Sequence, residues 1–407
     1  MKEVKLVMVS ESNSNKFYDM KGDADGKTFT VTYGRVDVTA MTGRYPMSKW
    51  DSIYKSKIKK GYKDLTDLFV VEDVNSGPII EIEDDAIKMF VSHLQQLANN
   101  SIRGNYTVSA EKVTDKQLAR AQELLNEVQH KLGNAISDLP GYVSPNCLGD
   151  SNKILLELYA TIPRKMKKVQ YHLIGDLNNK ERIKNLIFTE QANLDVMSTQ
   201  VTTLQSTNEH RDQTVLAALG LDMRGINSDE QSTILKQMGE EKGRFVRGFC
   251  ATNNKTQTIF DNYVKNAINK KTDLFWHGSR NENWWSIINS GLVLRPTNAI
   301  ISGKMFGYGL YFADRCKKSI GYTSLHGSYW ARGSANKGLL SLFEVHLGYT
   351  LEIERHYSWC SSLTEKELKR KGNYDSLFAK RGADLYNNEY VVYNEAQTTI
   401  KYIVEIN

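Results

Sequence analysis

The hydrophobic period of this chain changes twice, and those two changes constrain its architecture more than any other feature. Up to about residue 75 the pattern is strand-like. Val4 to Val9 alternates. Lys16-Phe17-Tyr18-Asp19-Met20 runs through the turn cluster Lys21-Gly22-Asp23-Ala24-Asp25-Gly26 into Thr28-Phe29-Thr30-Val31-Thr32-Tyr33. β-Branched and aromatic residues flanking a Gly/Asp turn predict a hairpin. The Asp-Ala-Asp-Gly turn opens like a calcium loop but lacks the later oxygen ligands and the bidentate Glu, so turn chemistry accounts for it. A basic helix is predicted from about Lys49 to Lys60, stopping at Gly61.

From about 83 to 211 the period becomes helical. Asp84-Asp85 opens a run with Ile87, Phe90, Val91, Leu94 and Leu97 on one face. Thr114-Asp115 precedes Leu118, Ala121, Leu124, Leu125 and Val128, a helix expected to end before Gly133. Further helical patterns cover Lys153 to Ala160, Lys180 to Phe188 and Gln191 to Leu204, so an all-helical bundle is expected. Its histidines, at 93, 130, 172 and 210, lack metal-ligand spacing. From about 212 short strands alternate with helices. Strands are predicted at Arg244 to Phe249, Leu274 to Trp276, Gly309 to Phe312, Leu340 to Leu347 and Glu389 to Tyr393, and a helix at Asn283 to Asn289 closed by Gly291. The expected fold class is multidomain α+β: a small β-rich domain over 1–75, an all-α bundle over 83–211, and a mixed α/β domain with split antiparallel sheets over 212–407.

At 407 residues each of these domains can bury a core of its own. No stretch approaches the roughly 18 apolar residues of a spanning helix, and Met1-Lys2-Glu3-Val4-Lys5 has no apolar signal core. The expectation is an intracellular protein without a membrane partner: nuclear in a eukaryote, cytoplasmic or nucleoid-bound in a bacterium. Cys147, Cys250, Cys316 and Cys360 form no Cys-x-x-Cys pair, which points to free thiols rather than a zinc finger or a disulfide framework. Between Lys27 and Lys63 stand nine Lys or Arg against two acids, Asp37 and Asp51, a local excess larger than the whole-chain charge of +6. A polyanion partner or a solvated helix face would each account for it.

The chemistry concentrates in the C-terminal third. His277-Gly278-Ser279 follows the apolar Leu274-Phe275-Trp276. Met305-Phe306-Gly307-Tyr308-Gly309-Leu310-Tyr311-Phe312-Ala313-Asp314 comes next, then Lys318-Ser319-Ile320-Gly321-Tyr322, and near the end Asn388-Glu389-Tyr390-Val391-Val392-Tyr393. The glycine-rich element leads into a strand and not a helix N-terminus, which excludes P-loop and Rossmann sites. Together these elements resemble the His-Tyr-Glu ADP-ribosyltransferases, specifically the poly(ADP-ribose) polymerases, from Leu274 to the C-terminus.

That resemblance implies NAD+ as substrate and no metal. Gly278 would hold the nicotinamide carboxamide through its backbone, with the Ser319 hydroxyl as second partner. Tyr311 and Tyr322 would sandwich the ring, and His277 and Ser279 would bind the adenosine ribose. Glu389 would bind the nicotinamide ribose and polarise the acceptor nucleophile, and glutamate there accompanies polymer extension in the family. Thr114 to Leu125, Leu158 to Pro163 and Leu194 to Met197 resemble the family's autoinhibitory helical domain. Tyr33-Gly34-Arg35-Val36 resembles the Trp-Gly-Arg signature of a WGR domain, with Tyr in place of Trp. It implies DNA contact by Tyr33 and Arg35, which a basic surface including Lys55 and Lys59 would support. The implied activity is DNA-break-activated poly(ADP-ribose) synthesis on protein acceptors, the enzyme itself included. The alternatives are mono-ADP-ribosyl transfer and a DNA-end-binding scaffold with a weak catalytic domain. Two departures stand out: Tyr308 replaces the Lys often found between the two glycines, and Arg295 lies later than the family's usual loop arginine.

Overall fold

A computed structural model describes residues 2–69, 80–136, 142–294, 305–307, 309–382 and 384–407, so Arg295 and Tyr308 lie outside the described residues. The chain divides into two compact units, Met1–Val74 with Asn100–Val201, and Asn75–Asn99 with Thr202–Asn407. Among the described residues no helix is long and apolar enough to cross a membrane.

In the first unit, strands β1 (Glu3–Ser10), β2 (Ser14–Gly22), β3 (Thr28–Arg35), β4 (Met41–Pro46) and β5 (Lys63–Asp64) form an antiparallel sheet of order β4-β3-β2-β1-β5. The predicted hairpin is β2–β3, paired from Lys16↔Arg35 to Gly22↔Phe29. Its alternating residues Tyr18, Met20, Phe29 and Val31 point inward with Leu6, and helix α1 (Trp50–Lys59) closes the core with Trp50. The turn acids are used within the chain: Asp23 accepts from Thr28 at 2.6 Å, Thr30 at 2.9 Å and Arg44 at 2.8 Å.

The helical stretch contains α2 (Asp85–Asn105), α3 (Asp115–Ile136), α4 (Cys147–Thr161) and α5 (Lys180–Glu209). A Thr-x-x-Gln capping box starts α3: the Thr114 hydroxyl accepts from the Gln117 amide at 3.2 Å, and the Gln117 side chain accepts from the Thr114 amide at 3.0 Å. Contrary to expectation α3 continues through Gly133, because Leu132 and Ala135 extend its buried face. The two helices predicted on either side of Thr189-Glu190 are one. No Pro or Gly interrupts them, and Glu190 is held by Arg164 at 3.0 Å, with both side chains 4% exposed.

In the second unit come α6 (Val215–Ala218), β6 (Leu221–Gly225), α7 (Ser228–Met238), β7 (Phe245–Asn253), α8 (Asn254–Asn266), β8 (Thr272–Gly278), α9 (Trp284–Ser290), β9 (Leu310–Phe312), α10 (Cys316–Ile320), β10 (Gly338–His346), β11 (Thr350–Ile353), α11 (Glu365–Gly372), β12 (Ser376–Ala379), β13 (Glu389–Val392) and β14 (Thr398–Ile406). They build two sheets, β6-β7-β14-β10-β8 and β11-β12-β13-β9. The first is antiparallel throughout. In the second, β11 and β12 pair in parallel, because α11 supplies the crossover that a parallel pair needs. The sheets are stitched where Trp276 and Ala313 exchange backbone hydrogen bonds of 2.8 and 3.0 Å. All four cysteines are unpaired thiols.

Candidate active site

The stitch between the sheets brings the C-terminal motifs together. Strand β8 delivers His277 and Gly278 beside β9, and His277 Nδ1 lies 3.1 Å from the Tyr311 carbonyl oxygen. A carbonyl only accepts, so Nδ1 carries a proton in this contact. The imidazole is boxed by Trp284, Phe312 and Phe343, with centroids 5.9 to 6.4 Å away. The next residue touches α10: a Cβ built on Gly278 would sit 2.0 Å from the Ser319 carbonyl oxygen, so only glycine lets strand and helix meet. Ser319 is 3% exposed. Ser279 Oγ accepts from Asn283 Nδ2 at 3.1 Å, which fixes it to the start of α9.

Strand β13 pairs antiparallel with β9, Val391 opposite Tyr311, and thereby carries Glu389 to the same edge. The Tyr311 hydroxyl accepts from the Phe306 amide and donates to the Gly307 carbonyl, both at 3.1 Å, so this ring is pinned by the glycine-rich element. Burial, with the Glu389 carboxylate adding to it, holds the Tyr311 phenol well above its ordinary 10.0 and therefore neutral. Tyr322 closes the turn after α10, 40% exposed, and burial followed by Glu389 pushes its phenol up to about 12. His277, Gly278, Ser279, Tyr311, Ser319, Tyr322 and Glu389 therefore surround one region of the second unit. A separate open cleft of about 600 Å³, lined in part by Ile259, Tyr263, Ile268 and Tyr349, contains none of them.

The structure adds residues to which sequence reasoning assigned no role. Lys318 Nζ lies 2.5 Å from Glu389 Oε1 and 3.1 Å from the Asn388 carbonyl oxygen. The two ionic side chains are 13% and 15% exposed. Burial pulls the Lys318 ammonium below its ordinary 10.5, while Glu389 and Asp314 oppose that pull. Asn388 in turn donates to Asp314 at 2.7 Å, so the acid that ends Tyr-Phe-Ala-Asp anchors the strand bearing Glu389. The one sequence signal was adjacency: Lys318 directly precedes Ser319 on the same short helix.

The residues expected at DNA lie in the first unit. Lys55 and Lys59 are exposed on α1. Tyr33 packs on Tyr18 with ring centroids 5.4 Å apart, and Lys57 Nζ sits 3.6 Å above Tyr18 and 5.8 Å from Tyr33. Burial, with Lys60 and Lys16 nearby, lowers the Lys57 pKa. Arg35 does not project freely. It donates to the Asn13 carbonyl at 2.7 Å and to that of Lys167 at 3.4 Å, while the Asn13 side chain accepts from the Val169 amide at 3.0 Å. Arg35 thus ties the β1–β2 turn to the chain between α4 and α5.

Comparison with known proteins points the same way as the C-terminal geometry. The poly(ADP-ribose) polymerase catalytic domain profile matches residues 234–407. The uncharacterized protein 101L of Invertebrate iridescent virus 6 is 37% identical over 197 residues, 48% of this chain and 76% of that protein. A putative poly(ADP-ribose) polymerase-like protein, 100L, of the same virus is 32% identical over 188 residues, covering 46% of this chain and 98% of the viral one. Poly(ADP-ribose) polymerase 1 of Gallus gallus aligns over 391 residues at 28% identity, 86% of this chain but 34% of the relative.

Proposed function

This chain belongs to the poly(ADP-ribose) polymerase family, and from that premise we propose that it is a DNA-break-activated enzyme building poly(ADP-ribose) on protein acceptors, itself included, with release of nicotinamide. ADP-ribosyl transfer from NAD+ is the activity its catalytic domain carries. The observation that supports ADP-ribosyl transfer at this site best is the pairing of Glu389 with Lys318 beside Tyr311 and Tyr322.

The reaction breaks the C–N glycosidic bond of NAD+ and develops positive charge on the ribose. A carboxylate beside that ribose stabilises the oxocarbenium-like transition state more than the ground state. Glu389 supplies the carboxylate, and Lys318 orients it. The Gly278 backbone and the Ser319 hydroxyl take the carboxamide. The neutral rings of Tyr311 and Tyr322 flank the nicotinamide. His277, with the hydroxyl of Ser279, takes the adenosine ribose. The helical stretch 83–211 acts as the regulatory segment, and the β-rich stretch 1–75 reads DNA ends through Tyr33, Arg35, Lys55 and Lys59.

A pH dependence follows from Lys318. Its ammonium loses its proton as pH rises through the lowered pKa, and Glu389 then loses its partner. Turnover is expected to fall on an alkaline limb below the 10.5 of an ordinary lysine, and Lys318→Met is expected to start slower and lack that limb. The same limb in Lys318→Met would remove the pair from the mechanism.

The reading as a whole is tested by incubating purified protein with labelled NAD+, with and without a nicked duplex. A DNA-dependent high-mass smear is the expected product. A single sharp band would mean mono-transfer, and equal labelling without DNA would overturn break activation. Lys55→Glu with Lys59→Glu is expected to weaken duplex binding at least about tenfold at low salt, because two phosphate contacts are replaced by repulsion. Undiminished binding would show that this face does not meet DNA.

A further inference from the structure

Residues 321–337 contain no acid but three exposed aromatics: Tyr322 at 40%, Tyr329 at 77% and Trp330 at 63% exposure. An indole left this open is unusual in a free-standing fold, and here the backbone holds it in place. The Trp330 and Ala331 amides both donate to the Gly321 carbonyl, at 2.9 and 3.0 Å. His326 and Ala335 close the loop by donating to the carbonyls of Ala335 and Ser324, at 2.8 and 2.9 Å. Gly333 permits this closure, since a Cβ there would lie 2.1 Å from the Ser324 carbonyl oxygen.

The loop is also fastened to the element that follows Ser279. Arg280 donates to the Ala331 carbonyl at 3.3 Å, the Asn281 amide to Ser324 Oγ at 2.8 Å, and the Asn281 side chain to the Lys337 carbonyl at 2.9 Å. The outcome is a two-tier stack. The Trp330 and Tyr322 rings lie 17° from parallel with centroids 6.1 Å apart, and Tyr329 meets Trp330 edge-on at 4.7 Å. Gly321 lets the indole lie close, its absent Cβ falling 3.1 Å from Trp330 Cδ1.

We propose that Trp330 is a positioning residue for Tyr322, holding that ring in the orientation that receives nicotinamide and so setting the affinity for planar carboxamides. The proposal rests on the reading of Tyr322 as a nicotinamide-stacking residue. A side chain ordered in advance loses less freedom when the ligand arrives, and an aromatic pair supplies that order with little conformational latitude. Trp330 itself touches no substrate in this account. Its effect passes through Tyr322 and is confined to ligands that carry the ring.

The test is calorimetric titration of the full chain with benzamide, which presents the carboxamide-bearing ring, and with ADP-ribose, which lacks the nicotinamide ring and its carboxamide. Trp330→Ala is expected to weaken benzamide binding about 3- to 10-fold, to leave ADP-ribose affinity unchanged, and to be rescued by Trp330→Phe. Retained ADP-ribose binding also shows that the variant folds. Unchanged benzamide affinity in Trp330→Ala would overturn the proposal. So would tighter binding, which would place the indole on the face the ligand needs, or equal losses for both ligands, which would mark a general structural role. Failure of the wild-type chain to bind benzamide would instead remove the nicotinamide reading of the site itself.

Discussion

Glu389→Gln is expected to lower the rate of ADP-ribosyl transfer by about 10²–10³-fold, the range in which loss of one preorganised charge-stabilising group falls. The amide has nearly the volume of the carboxylate, so the strand pairing of β13 with β9 and β12 is untouched. What is lost is negative charge beside the ribose as positive charge grows there, and the partner that Lys318 holds at 2.5 Å. Because that interaction matters chiefly in the transition state, the loss is expected in kcat with NAD+ affinity within about threefold. Single-turnover transfer and NAD+ titration of the same preparation measure both. Near-normal transfer by Glu389→Gln would overturn the assigned chemistry and favour a binding role for the domain.

The second large effect comes from one methyl group. Gly278→Ala places a Cβ 2.0 Å from the Ser319 carbonyl oxygen, 2.9 Å from its carbon and 3.2 Å from its Cα, all backbone atoms that cannot swing aside. Nor can β8 retreat. Its other edge is paired with β10, Gly278 opposite Leu340 and His277 opposite Ser341, and Trp276 is bonded to Ala313. Helix α10 must yield, taking Lys318, Ser319 and Tyr322 with it. Benzamide affinity is expected to fall more than about tenfold, with a destabilisation of about 1–3 kcal/mol from the overpacking. Gly104→Ala is the control, since its added methyl meets nothing within 4 Å. Equal, small effects of the two substitutions on melting and on benzamide binding would show that the strand–helix contact is not what shapes the site.

Much of this architecture is legible in the residues because the relevant signals are local. Period-2 alternation with a Gly/Asp turn specifies β2–β3, and Thr114 with Gln117 specifies where α3 begins. Where local signals were silent, the reading was incomplete. The boundary between Phe188 and Gln191 has no breaker, and only the Arg164–Glu190 pair reveals that one helix runs through it. The parallel pairing of β11 with β12 likewise depends on a crossover whose destination no strand pattern encodes.

The same division runs through the site. The sequence by itself determined the kinds of group available: a histidine and a glycine at the end of a strand, two tyrosines, a serine and a glutamate, in motifs that resemble one enzyme family. Only the tertiary structure decided which groups share the region with them. Lys318 reaches Glu389 across 71 positions, Asn388 reaches Asp314 across 74, and Trp330 stacks on Tyr322 in a loop that Arg280 and Asn281 help to hold. The reason is physical. Motifs record short-range backbone demands and reactive side chains, whereas ion pairs and ring stacks between distant segments arise from the packing of two sheets against each other and leave no spacing in the chain to read.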